Sequence, residues 1–224
     1  MSAGFLYSQD GVLALKNGNV ELAIRNFERA IKNDPKNPDG YRELGDLYQK
    51  QGKYQEALDI YNEYLEINDN AFFALYEKAK VLSSMKKFKE ENHVLEQLML
   101  KRSAYPGLAL AYTKNLFALE DYIEAKKVLN DAIISNPSDE SLRLFRAKMH
   151  QNNKDLKRAC EDYKYLMNQF FKRTTYYIPF AKLSMELGNF IDAESALRFA
   201  LKLDSENQEL NEIYNEIPVE YKKS

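Results

Sequence analysis

Side chains able to make or break bonds are scarce in this chain. Its 224 residues include one cysteine, Cys160, and two histidines, His93 and His150. A single cysteine forms no intramolecular disulfide and supplies no multi-cysteine metal site. Cys160 reads as a small hydrophobe half-buried in a core. The histidines stand far apart and read as surface or groove polar residues, not as ligands. There is no Gly-rich phosphate loop, paired-cysteine motif or metalloprotease histidine pair. Carboxylates are plentiful but scattered, as on a solvated helical face. The sequence therefore predicts no catalytic residue, no metal site, no cofactor and no small-molecule substrate.

The remaining chemistry is non-covalent recognition. Lys80, Lys114, Lys148 and Lys182 recur at a constant interval of 34 residues. One helical turn before each stands an apolar residue: Tyr76, Leu110, Leu144 and Ile178. Phe117, Phe145 and Met185 widen this apolar strip. Such rows suit a segment that is both acidic and apolar, either extended or helical. The ammonium groups would steer and orient it, and apolar burial would contribute about 25 cal/mol per Å². The competing reading is that the lysines solubilise the face, each paired with a carboxylate such as Glu77 or Glu186. In the second repeat the corresponding places hold Arg42 and Asp46, so the lysine row stops and the sign changes.

Those intervals come from a repeat that governs the whole chain. Asn19-Val20-Glu21-Leu22-Ala23 aligns with Lys53-Tyr54-Gln55-Glu56-Ala57, 34 residues on. The same step leads to Ala125, Ala159 and Ala193, with Glu91 standing where the third alanine is due. Within residues 38–71, Tyr41, Leu44, Gly45 and Tyr48 recur at helical spacing. Gly52-Lys53 interrupts the pattern, and Ala57, Leu58, Tyr61, Tyr64 and Leu65 resume it. Each repeat is thus two short amphipathic helices. Small residues, Gly11, Gly45, Ala79, Ala147 and Ala181, stand where the helices must approach closely. Asp34-Pro35 and Asn136-Pro137 end second helices, because a residue before proline is driven from helical geometry.

This pattern resembles the tetratricopeptide repeat, most fully in Tyr41, Leu44, Gly45, Tyr48, Gly52, Tyr54, Ala57 and Tyr61. Six repeats fit, at 4–37, 38–71, 72–105, 106–139, 140–173 and 174–207, with a capping helix over 208–217. The pattern departs from the family at Glu91, Asn92, Thr113 and Pro179. The resemblance implies an all-α fold, a right-handed α-solenoid forming a single domain over 1–224. It also implies that first helices line a concave groove. Neighbouring repeats bury each other's apolar faces, so stability sums unit and interface terms. Some family members clamp acidic chaperone tails with a Lys/Asn/Arg set. The matching places here hold Ser8, Val12, Glu43, Phe73 and Glu77, which disfavours that activity.

Charge narrows the partner class. The 32 basic and 34 acidic side chains give a net charge of −2, which disfavours a binder that works by neutralising many phosphates. Residues 1–71 carry 8 basic against 12 acidic side chains, and residues 140–173 carry 9 basic against 4 acidic. The latter include Arg143, Arg146, Lys148, Lys154, Lys157 and Arg158, a basic patch suited to an acidic partner or read as ordinary surface charge. Phe170, Phe171, Tyr176 and Tyr177 cluster before Pro179. They either fill the gap left by a late or bent helix or form a patch for self-association, a possible homo-oligomer. No run of 18 apolar residues and no secretory leader occurs, so the chain, if complete, is expected in the cytoplasm without membrane insertion. The sequence thus predicts a non-catalytic adaptor or assembly factor that binds another protein. The alternatives are a self-associating scaffold and an RNA-binding α-solenoid.

Overall fold

The helix boundaries follow from the turn chemistry of the repeat. A computed structural model describes residues 2–101 and 107–222. The expected boundary at 105/106 lies outside the described residues. First helices are α1 (Ala3–Lys16), α3 (Pro38–Lys50), α5 (Phe72–Ser84), α7 (Leu108–Ala118), α9 (Glu140–Asn152) and α11 (Tyr177–Glu186). Their second helices are α2 (Val20–Asn33), α4 (Tyr54–Ile67), α6 (Phe88–Lys101), α8 (Tyr122–Ser135), α10 (Leu156–Gln169) and α12 (Phe190–Leu203), followed by α13 (Gln208–Glu216). Among the described residues there are these thirteen α-helices, two short 3₁₀ turns and no strand.

Every first helix ends in the same way. Gly18, Gly52, Lys86, Glu120, Lys154 and Gly188 all have φ between 57° and 77°, the left-handed conformation that closes a helix C-terminus. The two hydrogen bonds of that cap recur each time. In α3 the Gly52 amide donates to the Gln49 carbonyl and the Lys53 amide to the Tyr48 carbonyl, both at 2.9 Å. In α9 the Lys154 amide donates to Gln151 at 3.0 Å and the Asp155 amide to His150 at 2.9 Å. Three of the six positions lack glycine, so the turn is imposed there on residues that disfavour it.

Packing explains the small residues. A Cβ at Gly45 would lie 2.4 Å from the Tyr61 ring, and one at Gly11 would lie 2.4 Å from the Phe27 ring. Ala23, Ala57, Ala125, Ala159 and Ala193 are fully buried at the matching place of the second helices. Glu91, which replaces alanine there, is also buried, and Thr113 is fully buried at the first-helix site. Pro179 is accommodated by a late start. A 3₁₀ turn spans Thr174–Tyr176 and α11 begins at Tyr177. Pro179 then sits in the first helical turn, where a backbone N–H has no intrahelical partner to lose.

The contacts divide the chain into two compact units, 1–126 and 127–224. In the first, α1 packs on α2, α3 on α4 and α5 on α6, and α2, α4 and α6 pack on the helices that follow them. One core there joins Ala57, Tyr61, Leu75, Leu82 and Leu98, and another joins Ala14, Phe27 and Leu44. In the second unit α9 packs on α10, α10 on α11, α11 on α12 and α12 on α13. Its core includes Ala147, Tyr163, Leu166, Phe180, Leu197 and Leu210.

Candidate functional site

A first helix that turns its small residue toward the second helix places the next residue outward. In the first unit Ala79 is buried and Lys80 exposed, and Thr113 is buried and Lys114 exposed. Tyr76, Leu110 and Phe117 are half-buried, and Phe117 lies against Tyr122 with ring centroids 5.7 Å apart. The Lys80 ammonium is 2.5 Å from the Glu77 carboxylate, the sequence-expected partner. Burial is the largest single influence and opposes the charge of Lys80, but the hydrogen bond and charge of Glu77, together with Asp46 and Tyr76, more than offset it and raise the pKa above the ordinary lysine value.

Glu77 belongs to a longer chain of contacts. The Gln49 amide donates to Glu77 at 3.4 Å and to the Tyr61 hydroxyl at 2.8 Å. Tyr61 in turn donates to Asp46 at 3.0 Å. Burial and the Asp46 carboxylate push the Tyr61 phenol far above its usual range. The hydroxyl therefore remains a donor, and Asp46 is engaged by it.

In the second unit Leu144, Phe145, Ile178 and Met185 are half-buried beside exposed Lys148 and Lys182. Leu144, Ile178 and Met185 pack on the unit's core with one side. Lys182 bridges Glu209 of α13 at 2.9 Å, instead of the neighbouring Glu186. Both ends of that pair are about half exposed, so the bridge contributes little.

The basic patch is partly consumed inside this unit. Asp162, 3% exposed, accepts two bonds from Arg146, at 2.7 Å and 2.9 Å, and one from Arg143 at 3.1 Å. Arg146 also donates to Asn130 at 2.9 Å, and Arg143 lies 3.6 Å over the Tyr165 ring. Arg158 lies 3.4 Å from Asp155. His150 is disfavoured as a cation mainly by burial, which lowers its pKa.

The aromatic cluster before Pro179 turns inward, which corrects the surface-patch reading. Tyr176 and Tyr177 are each 4% exposed. Tyr176 donates to Glu140, which also accepts from Arg173. Tyr177 donates to the Phe171 carbonyl at 2.9 Å and stacks on Phe199. Phe170 is half-buried against Tyr176. Phe171 alone of the four is exposed. The late start of α11 leaves space that these rings fill.

Comparison with known proteins agrees with this architecture. The tetratricopeptide repeat family profile matches residues 10–72. A TPR repeat-containing protein of Methanocaldococcus jannaschii is 25% identical over 219 residues, covering 88% of this chain and 38% of that protein. The chain therefore spans well under half of that relative's length. The solved C-terminal part of a TPR repeat-containing protein from Cytophaga hutchinsonii superposes with a TM-score of 0.75 at 15% identity, over 95% of this chain and 88% of that one. The structure of YrrB, described as a TPR protein with an unusual peptide-binding site, gives a TM-score of 0.58 at 18% identity, over 84% and 97%. The chain is a tetratricopeptide-repeat protein. Proteins of this kind are generally protein-interaction modules and typically non-catalytic.

Other features of this tetratricopeptide-repeat protein bear on chemistry. The Cys160 thiol is half-buried, 3.4 Å from the Ser184 hydroxyl, and burial raises its pKa, the condition of an unreactive thiol. Among the described residues no group of three His, Cys, Asp or Glu could hold a metal ion, and no helix is long and apolar enough to cross a membrane. The sequence reading missed Asp162. Its signal was available, because the same register holds Asn26, Ile60, Val94, Val128 and Ala196. A carboxylate at such an inward place requires a buried cation. It also missed the buried Glu91, although the departure from alanine marked the place.

Proposed function

We propose that this chain is a non-catalytic adaptor or assembly factor that holds a peptide or helical segment of a partner protein on the outward faces of its first helices. The contact residues are Tyr76, Lys80, Leu110, Lys114 and Phe117 in the first unit. In the second they are Leu144, Phe145, Lys148, Ile178, Lys182 and Met185. One observation carries the reading: Leu110, Leu144 and Ile178 are half-buried, each one turn from an exposed lysine. An apolar side chain in that state still has surface to bury against a ligand, and the adjacent ammonium favours an acidic one. The likeness in fold to a protein described as having a peptide-binding site supports peptide capture as the mode. Lys114 and Lys148, one in each unit and both exposed, are the residues to reverse. Affinity purification from the native cell at low salt, with Lys114→Glu and Lys148→Glu combined as the control, tests the proposal. Proteins retained by the parent chain are expected to be lost from the variant. Equal retention would sink it.

A further inference from the structure

At the first repeats the surface shared by α1 and α3 has the opposite chemistry. A cavity of about 350 Å³ opens between α1 and α3, lined by Phe5, Ser8, Val12 and Leu13 of the former and by Asp39 and Glu43 of the latter. On its α1 side the apolar Phe5, Val12 and Leu13 stand among the polar Ser8, Gln9 and Lys16, and Leu13 is 57% exposed. Ser8 occupies the register of the apolar row, being 34 residues before Arg42 and 68 before Tyr76. It is 5% exposed, and its hydroxyl has no hydrogen-bond partner among the described residues. A buried hydroxyl left unbonded destabilises the fold, a cost that a ligand's polar group would remove.

The acidic residues beside it are not equivalent. Asp39 lies 3.6 Å from Arg42, and Asp46 accepts from Tyr61. Glu43 is half-buried. No ion pair to it occurs among the described residues, whose salt bridges involve other carboxylates. Burial first, and the Asp46 charge second, raise its pKa, while Lys50 and Arg42 only partly oppose them. Glu43 is thus a carboxylate short of a cation. Lys16 also lines the cavity, but it stands in the last turn of α1. It is seven residues beyond Gln9, which shares the register of Glu43, or about 10 Å of helical rise. The acidic excess of residues 1–71, 12 against 8, extends the same sign around the site.

We propose that this α1–α3 cavity seats an apolar side chain of a partner protein segment whose neighbouring lysine or arginine pairs with Glu43. A carbonyl of that segment would accept a hydrogen bond from the Ser8 hydroxyl. The inference rests on the reading that first-helix faces hold partner segments, and it assigns the opposite ligand charge to this end of the first unit. Charge complementarity selects the occupant, because a cation is the group Glu43 lacks and an acidic segment would add repulsion.

Selection of phage-displayed random dodecapeptides against the full chain tests it. The counter-selections are against Glu43→Gln, Glu43→Lys and the combined Lys114→Glu, Lys148→Glu variant. Peptides lost on Glu43→Gln are expected to carry an apolar residue within a helical turn of a lysine or arginine. As synthetic peptides they should bind the parent about tenfold tighter than Glu43→Gln, with the margin shrinking as salt rises. Circular dichroism checks folding. If Glu43→Lys does not fold, the isosteric Glu43→Gln carries the readout alone. An empty Glu43-dependent set, or one without basic residues, overturns the inference. If the only dependent peptides respond to the two lysines, the inference fails while the proposed function stands. Peptides responding to Glu43 alone support the inference and count against the lysine row. No enrichment over an unrelated helical protein overturns both.

Discussion

Glu91 offers a direct measurement of what a departure from the repeat costs. Alanine occupies this register in the other five repeats, fully buried each time. Glu91 is itself only 3% exposed, and its Oε2 atom has no hydrogen-bond partner among the described residues. Burial raises its pKa above the ordinary value of 4.5, while the nearby donors of Asn115 and Ser83 pull the other way without cancelling it. The protonated form is therefore the one the core prefers. Glu91→Gln keeps the shape and removes the charge. Leaving a charged group incompletely bonded in a core costs roughly 1–3 kcal/mol or more, so the variant should be more stable at pH 8 by about 1 kcal/mol or above. For a chain of this size each kcal/mol moves the melting temperature by about 2–4 °C. The sign follows from proton linkage. Below 4.5 the carboxyl is neutral in both folded and unfolded chains, and no charge penalty exists. As pH rises, the unfolded chain ionises first, and the penalty grows until pH passes the raised folded-state pKa. Thermal melts of the two proteins at pH 4 and pH 8 should therefore show a gain that is present at pH 8 and absent at pH 4. A gain equal at both values, or a loss at pH 8, would falsify the argument.

Two other substitutions probe the repeat and the buried ion cluster. Lys154→Gly should raise stability by about 0.5–1 kcal/mol, because Lys154 holds φ 59° at a helix cap and glycine adopts that conformation without a Cβ clash; an unchanged denaturation midpoint would contradict the strain. Arg146→Ala removes two bonds to buried Asp162 and should cost about 3 kcal/mol, the low end for breaking a buried pair because Arg143 remains. Its check is urea unfolding, and a change under about 0.5 kcal/mol would show that the cluster contributes little.

Much of the fold was legible because it depends on local order that repeats along the chain. The 34-residue step fixed which residues share a register, and Gly11, Gly45 and the buried alanines marked where helices touch. Even the left-handed turns at Lys86, Glu120 and Lys154 stand in register with Gly18, Gly52 and Gly188. The retarded start of α11 at Pro179 follows from the same kind of reasoning, since proline's missing N–H limits where a helix can begin.

What the tertiary structure alone decided was which charges meet and which rings face inward. Lys182 finds Glu209, 27 residues away, instead of the adjacent Glu186. Arg143 and Arg146 turn from a presumed basic patch onto Asp162, and Tyr176 and Tyr177 fill the space beside α11 rather than meeting solvent. A periodic sequence specifies which way a residue points from its own helix. Whether a counter-charge or a void waits there depends on residues distant in the chain, and only their packing settles it.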